Sequence, residues 1–412
     1  MSLTLGTEPL AFGKGIKLFI LDDTGIIFDE ARQKLFELNT TATFVWCQIE
    51  EGLTQPELAK ALVGTFGFST KEAREHVRRL VEEWRDRAFL DGSSSEDDSP
   101  KESASPISSL RLKTTVMPEI DEARGRWRER NYEILDQRYR LLFDKLVIGS
   151  WVCPVLRHLE RPSEAKGAEP STFYVTGHDE TFFVGSKTGQ AYCCGTIDAI
   201  APLVKMILFS DALSKVESKI AIHAGAVGYQ RRALVFPGPA GRGKSTLVAA
   251  LVDEGLQYLS DDLVMLDAEM KRVRGVPFSL GIKEAGVDVL TDRFPQLPDL
   301  ALHLRPDGKR VRYLAPAVGQ ETAAEEYEIG WIIFPRFDPT APTELKRISA
   351  SSALVKLTES CTLWRPMPWQ SVGRLVSLVA AAPCFEMPFS ILDEAVCELL
   401  KLSGLAVRQD VE

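Results

Sequence analysis

Histidine is scarce in this chain. There are five in 412 residues, scattered, with no zinc-ligand spacing among them. The seven cysteines, Cys47, Cys153, Cys193, Cys194, Cys361, Cys384 and Cys397, are dispersed, odd in number and contain no Cys-x-x-Cys pair. A disulfide framework or a metal ribbon is thereby excluded, and reduced thiols are expected. No stretch approaches the roughly 18 uninterrupted apolar residues of a membrane span, so no membrane partner is expected. The first 20 residues lack a basic start followed by an apolar core. No secretory signal is therefore expected, and the expected location is cytoplasmic. An excess of positive charge is also missing: the formal net charge is −9, which argues against a generic nucleic-acid binder. There is no internal repeat and no Asn-Lys-x-Asp guanine-reading motif, so a GTPase switch is not expected and ATP is the default nucleotide.

What the chain does have is a complete phosphate-binding loop. Residues 238–246 read Gly-Pro-Ala-Gly-Arg-Gly-Lys-Ser-Thr. The apolar run Ala233–Phe236 leads in as a strand and Thr246–Val252 leads out as a helix, the context that distinguishes a working loop from a chance match. Its glycines let the backbone curl so that successive N–H groups face phosphate oxygens. A helix N-terminus adds free donors and partial positive charge. Gly238, Ala240, Gly241, Arg242, Gly243, Lys244, Ser245 and Thr246 are therefore the candidate nucleotide-binding residues. Lys244 is expected to reach the β- and γ-phosphates and Ser245 to ligate Mg²⁺.

The chain is long enough for two or three domains. Residues 91–110 are rich in Ser, Asp and Glu and read as a flexible linker. They separate a first unit, 1–90, from a second, 111–412. In the first, Ile16–Leu21 and Gly25–Phe28 read as strands joined by an Asp22-Asp23-Thr24 turn. Phe36–Asn39 precedes a short helix with Ala42, Val45 and Trp46. Thr54–Glu57 and Ser69–Glu72 are capping boxes that open two further helices. The last of these carries Val77, Leu80, Val81 and Trp84 on one face. The expected fold is a small α+β, winged-helix-like domain. DNA binding is not favoured, because Lys71, Arg74, Arg78 and Arg79 alternate with Glu72, Glu75, Glu82 and Glu83 as on a solvated face.

This order, with Leu38-Asn39, Ala42, Trp46, Glu51–Thr54 and Glu57-Leu58 before a long third helix, resembles the PqqD family over about 75 residues. Members are recognition domains for precursor peptides of ribosomally made, modified natural products. The resemblance implies a leader-peptide partner paired with the edge strand and lying against the third helix. An exposed edge offers free N–H and C=O groups to an extended peptide. That edge is expected near Ile16–Leu21 or Gly25–Phe28, beside a helix near Ala73–Trp84. A purely structural wing is the other reading.

In the second unit, Phe173–Val175 and Thr181–Val184 read as paired strands, Ile197–Leu208 as a helix, and Ile220–His223 and Ala233–Phe236 as strands around a Gly228–Arg232 turn. Trp331–Phe334 reads as a buried strand, and 371–382 and 391–402 as helices. The alternation implies an α/β core with extra β structure. Downstream of the loop helix a short strand delivers Asp261-Asp262, seventeen and eighteen residues after Lys244. Phosphoryl transfer needs such a set: a phosphate cradle, a metal, and a carboxylate for the attacking hydroxyl. On a strand, adjacent side chains face opposite ways, so one acid is expected toward Mg²⁺ and the other toward the acceptor.

His223-Ala224-Gly225, Gly238–Thr246, Gly255 and Asp261-Asp262, in that order, resemble the HPr kinase family over about 45 residues. The resemblance implies an α/β P-loop kinase core of HPr-kinase type. Asp261 would be the base, Asp262 and Ser245 would hold the metal, and His223 would neighbour Asp261. The Glu-x-Arg-Gly-x-Gly-x-x-Asn type motif of the bifunctional kinase/phosphorylases is missing, which puts phosphorylase activity in doubt. Arg274–Glu284 stands there instead, which looks more like the HPr-kinase-related proteins of peptide biosynthesis. Lys283 and Arg336 are secondary candidates for phosphate or substrate contact, each also readable as a surface residue.

The joint expectation is an ATP- and Mg²⁺-dependent kinase that phosphorylates a Ser or Thr hydroxyl of a precursor peptide gripped by the first domain. Alternatives are a regulatory kinase of a carrier protein or small molecule, and a non-catalytic nucleotide-sensing peptide carrier. A homo-oligomer is expected by analogy only.

Overall fold

The computed structural model describes residues 5–91, 112–122, 127–162, 169–216, 220–317, 325–363 and 367–405. The expected linker lies, apart from Asp91, outside the described residues. The chain is a mixed α/β protein with four sheets among the described residues, divided into two compact units. The division departs from a simple cut at residue 90. Residues 349–355 and 365–381 belong with the N-terminal unit, and the second unit takes the rest from 104 onward.

The N-terminal unit begins with three antiparallel strands, β1 (Ile16–Leu21), β2 (Thr24–Asp29) and β3 (Lys34–Leu38), in that spatial order. Asp22 and Asp23 at positive φ make the tight β1–β2 turn. The sequence reading missed β3. Its short run gains strand identity only by pairing with β2, Gly25 opposite Leu38 through Asp29 opposite Lys34. β2 is therefore the central strand, which removes Gly25–Phe28 as a candidate edge. Three helices follow: α1 (Thr40–Glu50), α2 (Gln55–Phe66) and α3 (Thr70–Asp86). Both capping boxes form, with Glu57 and Glu72 reaching back to the Thr54 and Ser69 amides. One face of α3 buries Val77, Leu80, Val81 and Trp84. Trp84 meets Trp46 edge-on at 5.0 Å between ring centroids, a geometry that adds about 0.5–1.5 kcal/mol beyond area burial. The helix Trp369–Ala381, read from sequence as part of the second unit, packs on β1. The reason is apolar: it buries Val372, Leu375, Leu378 and Val379, and its Trp369 ring receives the Lys17 ammonium at 5.3 Å.

In the second unit a ten-stranded sheet carries the loop. The strand Arg232–Pro237 pairs in parallel with Glu326–Phe337, and that strand in parallel with Cys384–Phe389. On its other side Arg232–Pro237 forms a hairpin with Ala224–Tyr229, turned by Gln230 and Arg231 at positive φ. The sequence reading gave this hairpin to Ile220–His223. Instead Ile220–Ile222 is a separate strand pairing with Val264–Leu266 and Cys361–Leu363, and His223 sits at the break between the two. The strand Gln257–Ser260 pairs with Ala224–Tyr229 and brings Asp261-Asp262 back to the loop end of the sheet. A six-stranded sheet, containing the expected Ser171–His178 and Thr181–Gly185 pair, shares a core with the helix Ile200–Lys215. A three-stranded sheet of Leu280–Lys283, Arg310–Leu314 and Leu302–Leu304 completes the unit.

Candidate functional site

The strand Arg232–Pro237 ends at Pro237, and the helix Lys244–Asp253 starts with Gly243 as its N-cap. Between them Gly238, Gly241 and Gly243 hold φ values of 141°, 91° and 88°, a region that L side chains enter only under strain. Gly243 is doubly constrained, because a Cβ there would lie 2.8 Å from the Phe389 ring. Around this loop lies a cavity of about 320 Å³, lined by Ala240, Gly241, Gly243, Lys244, Ser245 and Thr246 on one side. His223, Asp261, Asp262, Lys283 and Arg305 face it from the other elements. Residues distant in sequence thus meet at one place.

Asp261 and Asp262 follow the strand Gln257–Ser260 in a bend rather than on the strand itself. Ser260 pins that bend: its hydroxyl donates to the Leu263 carbonyl at 2.5 Å and accepts from the Leu263 amide. Because the acids lie past the last paired residue, strict alternation does not separate them, and both line the same cavity. Asp261 is buried. Its Oδ2 accepts the Gly281 amide at 2.9 Å, whereas Oδ1 has no hydrogen-bond partner among the described residues. Burial first, and the Asp262 charge second, raise its proton affinity. The neighbouring Ser245 hydroxyl favours the charged form without meeting hydrogen-bond geometry at Oδ1. Asp262 goes the opposite way. The Lys205 ammonium, 3.0 Å from its Oδ2, holds its carboxyl well below the usual carboxylate range. Two adjacent acids are thus pushed apart, the pattern by which a site assigns different acid–base roles to like groups.

Lys244 is buried, and its ammonium donates to the Gly238 carbonyl at 2.6 Å and the Pro239 carbonyl at 2.9 Å. Burial lowers its pKa to about 8, against the pull of both aspartates. Engaging a phosphate means exchanging these two carbonyls for phosphate oxygens. His223 donates from Nδ1 to the Asp262 carbonyl at 2.8 Å, which leaves Nε2 facing the Lys244 ammonium at 3.5 Å. Burial, then Lys244, lowers its pKa and keeps the ring neutral. The expected neighbour was Asp261; the direct partners are Asp262 and Lys244.

Lys283 lines the cavity from the end of its strand. Arg336 does not line it. Half exposed, it pairs with Asp338 at 2.7 Å. Gly238 and Arg242 also lie outside the lining, although the Arg242 carbonyl accepts the Phe337 amide and so fixes the loop. Two cations were missed from sequence. Lys205 had a readable signal, a lone charge inside the apolar run Ile200–Phe209. Arg305 had none, because Arg305-Pro306-Asp307-Gly308 reads as an ordinary turn.

Among the described residues no group of three or more His, Cys, Asp or Glu could cage a metal by itself. One hydroxyl and two carboxylates beside a phosphate cradle suit Mg²⁺, which takes few protein ligands and completes its shell with phosphates and water. The bare curve at Gly241, where a Cβ would meet nothing within 4 Å, leaves room for such a group. No helix among the described residues is long and apolar enough to cross a membrane.

Residues 24–90 match the family model described as coenzyme PQQ synthesis protein D, and the N-terminus carries a PqqD-like domain. Among solved structures the chain is similar to TbiB1 in complex with the TbiA(beta) leader peptide (15% identity, 21% of this chain, 99% of that one, TM-score 0.20). A lasso peptide synthetase B1 complexed with its leader peptide is similar at 16% identity over 20% of this chain and 96% of that one, TM-score 0.19. The Hpr(Ser) kinase/phosphatase from Coxiella burnetii is similar at 14% identity over 45% of this chain and 92% of that one, TM-score 0.21. At these scores the three are likenesses only. No curated protein matches the chain.

Proposed function

We propose that the protein is an ATP-dependent kinase of HPr-kinase type that phosphorylates a Ser or Thr hydroxyl of a precursor peptide held by its PqqD-like domain. The observation that carries this reading is the convergence of Lys244, Ser245, His223, Asp261 and Asp262 on one cavity at a helix N-terminus. The loop amides and Lys244 bind and orient the triphosphate of ATP, the substrate. Magnesium, when bound, would be held by Ser245 and Asp262 and would spread the charge of the phosphate oxygens. Asp261, the acid with raised proton affinity and a bare Oδ1, takes the proton of the incoming hydroxyl. The hydroxyl oxygen forms its bond to the γ-phosphorus, the bond from that phosphorus to the ADP oxygen breaks, and ADP leaves. His223 is neutral and positions the Asp262 backbone and Lys244 rather than moving a proton.

The leader of the peptide adds to the three-stranded sheet at β3. Among the described residues β3 pairs with β2 alone, and its Phe36 packs against Phe89 and under Arg87 at the end of α3, so strand and helix lie together as strand addition requires. β1 is the other edge, but it carries the helix Trp369–Ala381 against it.

The test combines protein, Mg-ATP and the precursor peptide, with the peptide weighed afterwards. A gain of one phosphoryl mass, absent with Asp261→Asn, is expected. An unmodified peptide under conditions where ATP binds would refute the kinase reading. Deleting residues 1–90 is a poor control, because it strips residues 365–381 of their own unit; point variants in β3 serve better.

A further inference from the structure

A second cavity, of about 260 Å³, lies against the first and shares with it His223, Asp261, Asp262 and Arg305. The acid pair is therefore a common wall. Only the first cavity has the glycine loop. The second has a largely apolar lining, with Met206 and Phe209 from the helix Ile200–Lys215 and Leu263, Val276 and Phe278 from other elements, beside Tyr313 and the charged Asp307. Lys205, on the same helix as Met206 and Phe209, sits at its charged end. Its ammonium touches Asp262 at 3.0 Å and lies 5.2 Å and 5.5 Å from the Tyr313 and Phe278 ring centres. Lys205 thus pairs with Asp262 through Oδ2. Asp261 keeps Oδ1, a buried acceptor that meets no donor in hydrogen-bond geometry among the described residues, although the Ser245 hydroxyl lies near it, so an incoming hydroxyl can pair with it.

We infer that this second cavity is the acceptor subsite, and that it takes a Ser or Thr hydroxyl directly flanked in the peptide by an apolar or aromatic side chain. The inference rests on the kinase reading above and deepens it. Three observations fix the occupant. The bare Asp261 Oδ1 calls for an O–H donor at the shared wall, with the γ-phosphate on its far side. The apolar walls reward burial of a hydrocarbon side chain and penalise a charged one. The volume falls below the roughly 300–1,000 Å³ of a drug-sized ligand pocket, so it admits one hydroxyl residue and a neighbour's side chain. On transfer the hydroxyl proton goes to Asp261, the hydroxyl oxygen bonds to the γ-phosphorus, the bond from that phosphorus to the ADP oxygen breaks, and ADP leaves from the first cavity.

The test uses acetylated heptapeptides with a central Ser flanked by Leu or by Glu, bound to the full-length protein saturated with a non-hydrolysable ATP analogue. The Leu peptide should bind about tenfold or more tightly than the Glu peptide. Met206→Glu should erase that preference, and Phe209→Ala, which adds no charge, should reduce it. Both variants should leave the analogue's Kd within about twofold, a change worth less than 0.5 kcal/mol. Equal affinity of the two peptides for the wild type overturns the inference. So does a preference that survives both variants, or a Met206→Glu change that weakens the nucleotide as much as the peptide. Failure of the kinase reading looks different: the Leu preference would stand, yet no phosphate would pass from ATP to the preferred peptide.

Discussion

Gly243 is where local backbone and tertiary packing act on one atom. Its φ is 88°, and a Cβ would lie 2.8 Å from Phe389 Cζ and 3.4 Å from Phe337 Cβ. Gly255, just past the same helix, has φ 97° but nothing within 4 Å of a Cβ. The two glycines thus separate strain from collision. For Gly255→Ala the left-handed conformation costs about 1–2 kcal/mol, offset by about 0.4–1 kcal/mol from a less flexible unfolded chain, for a net loss near 1 kcal/mol. Gly243→Ala pays the same conformational term and adds about 1–3 kcal/mol of overpacking against the ring, for a net loss of about 2–4 kcal/mol. Hydrogen exchange of the Lys244–Asp253 amides reads the local opening free energy of each variant, and titration calorimetry reads the affinity for an ATP analogue. Gly243→Ala should lower protection about 30-fold or more and abolish measurable nucleotide binding. Gly255→Ala should lower protection several-fold and leave binding intact. Adding Phe389→Ala to Gly243→Ala should recover part of the loss by removing the collision but not the strain. If the two single variants lose equal protection, the ring contact does not constrain the loop.

Asp261→Asn keeps the side-chain shape at the Gly281 amide but cannot accept a proton. It should lower the peptide phosphorylation rate about 10²–10⁴-fold with ATP affinity within about threefold, followed by mass spectrometry and calorimetry. Nucleotide affinity should depend on alkaline pH through Lys244. Its pKa is about 8 in the free protein and rises when phosphates bind, so affinity is full below pH 8 and declines as pH climbs above it; a flat profile from pH 7 to about 9.5 would contradict this, and Lys244→Met should flatten the decline. Lys205→Met removes the cation that holds Asp262 charged, so the Asp262 carboxyl should titrate at higher pH by NMR, while Lys205→Arg preserves the low value. Bound precursor peptide should protect the Lys34–Leu38 amides and leave Ile16–Leu21 unchanged; the opposite pattern moves the docking edge to β1.

Sequence alone determined the elements whose causes are local. The loop glycines need left-handed φ wherever they fold, the capping boxes close their own helices, and the order His223, loop, Asp261-Asp262 fixes which groups a strand–helix–strand return can reunite. Tertiary structure decided what depends on distant partners. β3 is a strand only because β2 lies beside it, and Ile220–Ile222 and Ala224–Tyr229 part company at His223 because each finds a different neighbour. Trp369–Ala381 joins the first unit because β1 covers its apolar face. Nothing within ten residues of Lys205 announces Asp262 as its partner. The aspartates' opposite proton affinities arise the same way, since burial and a lysine from another helix are properties of packing, and packing is not written in any local window of the chain.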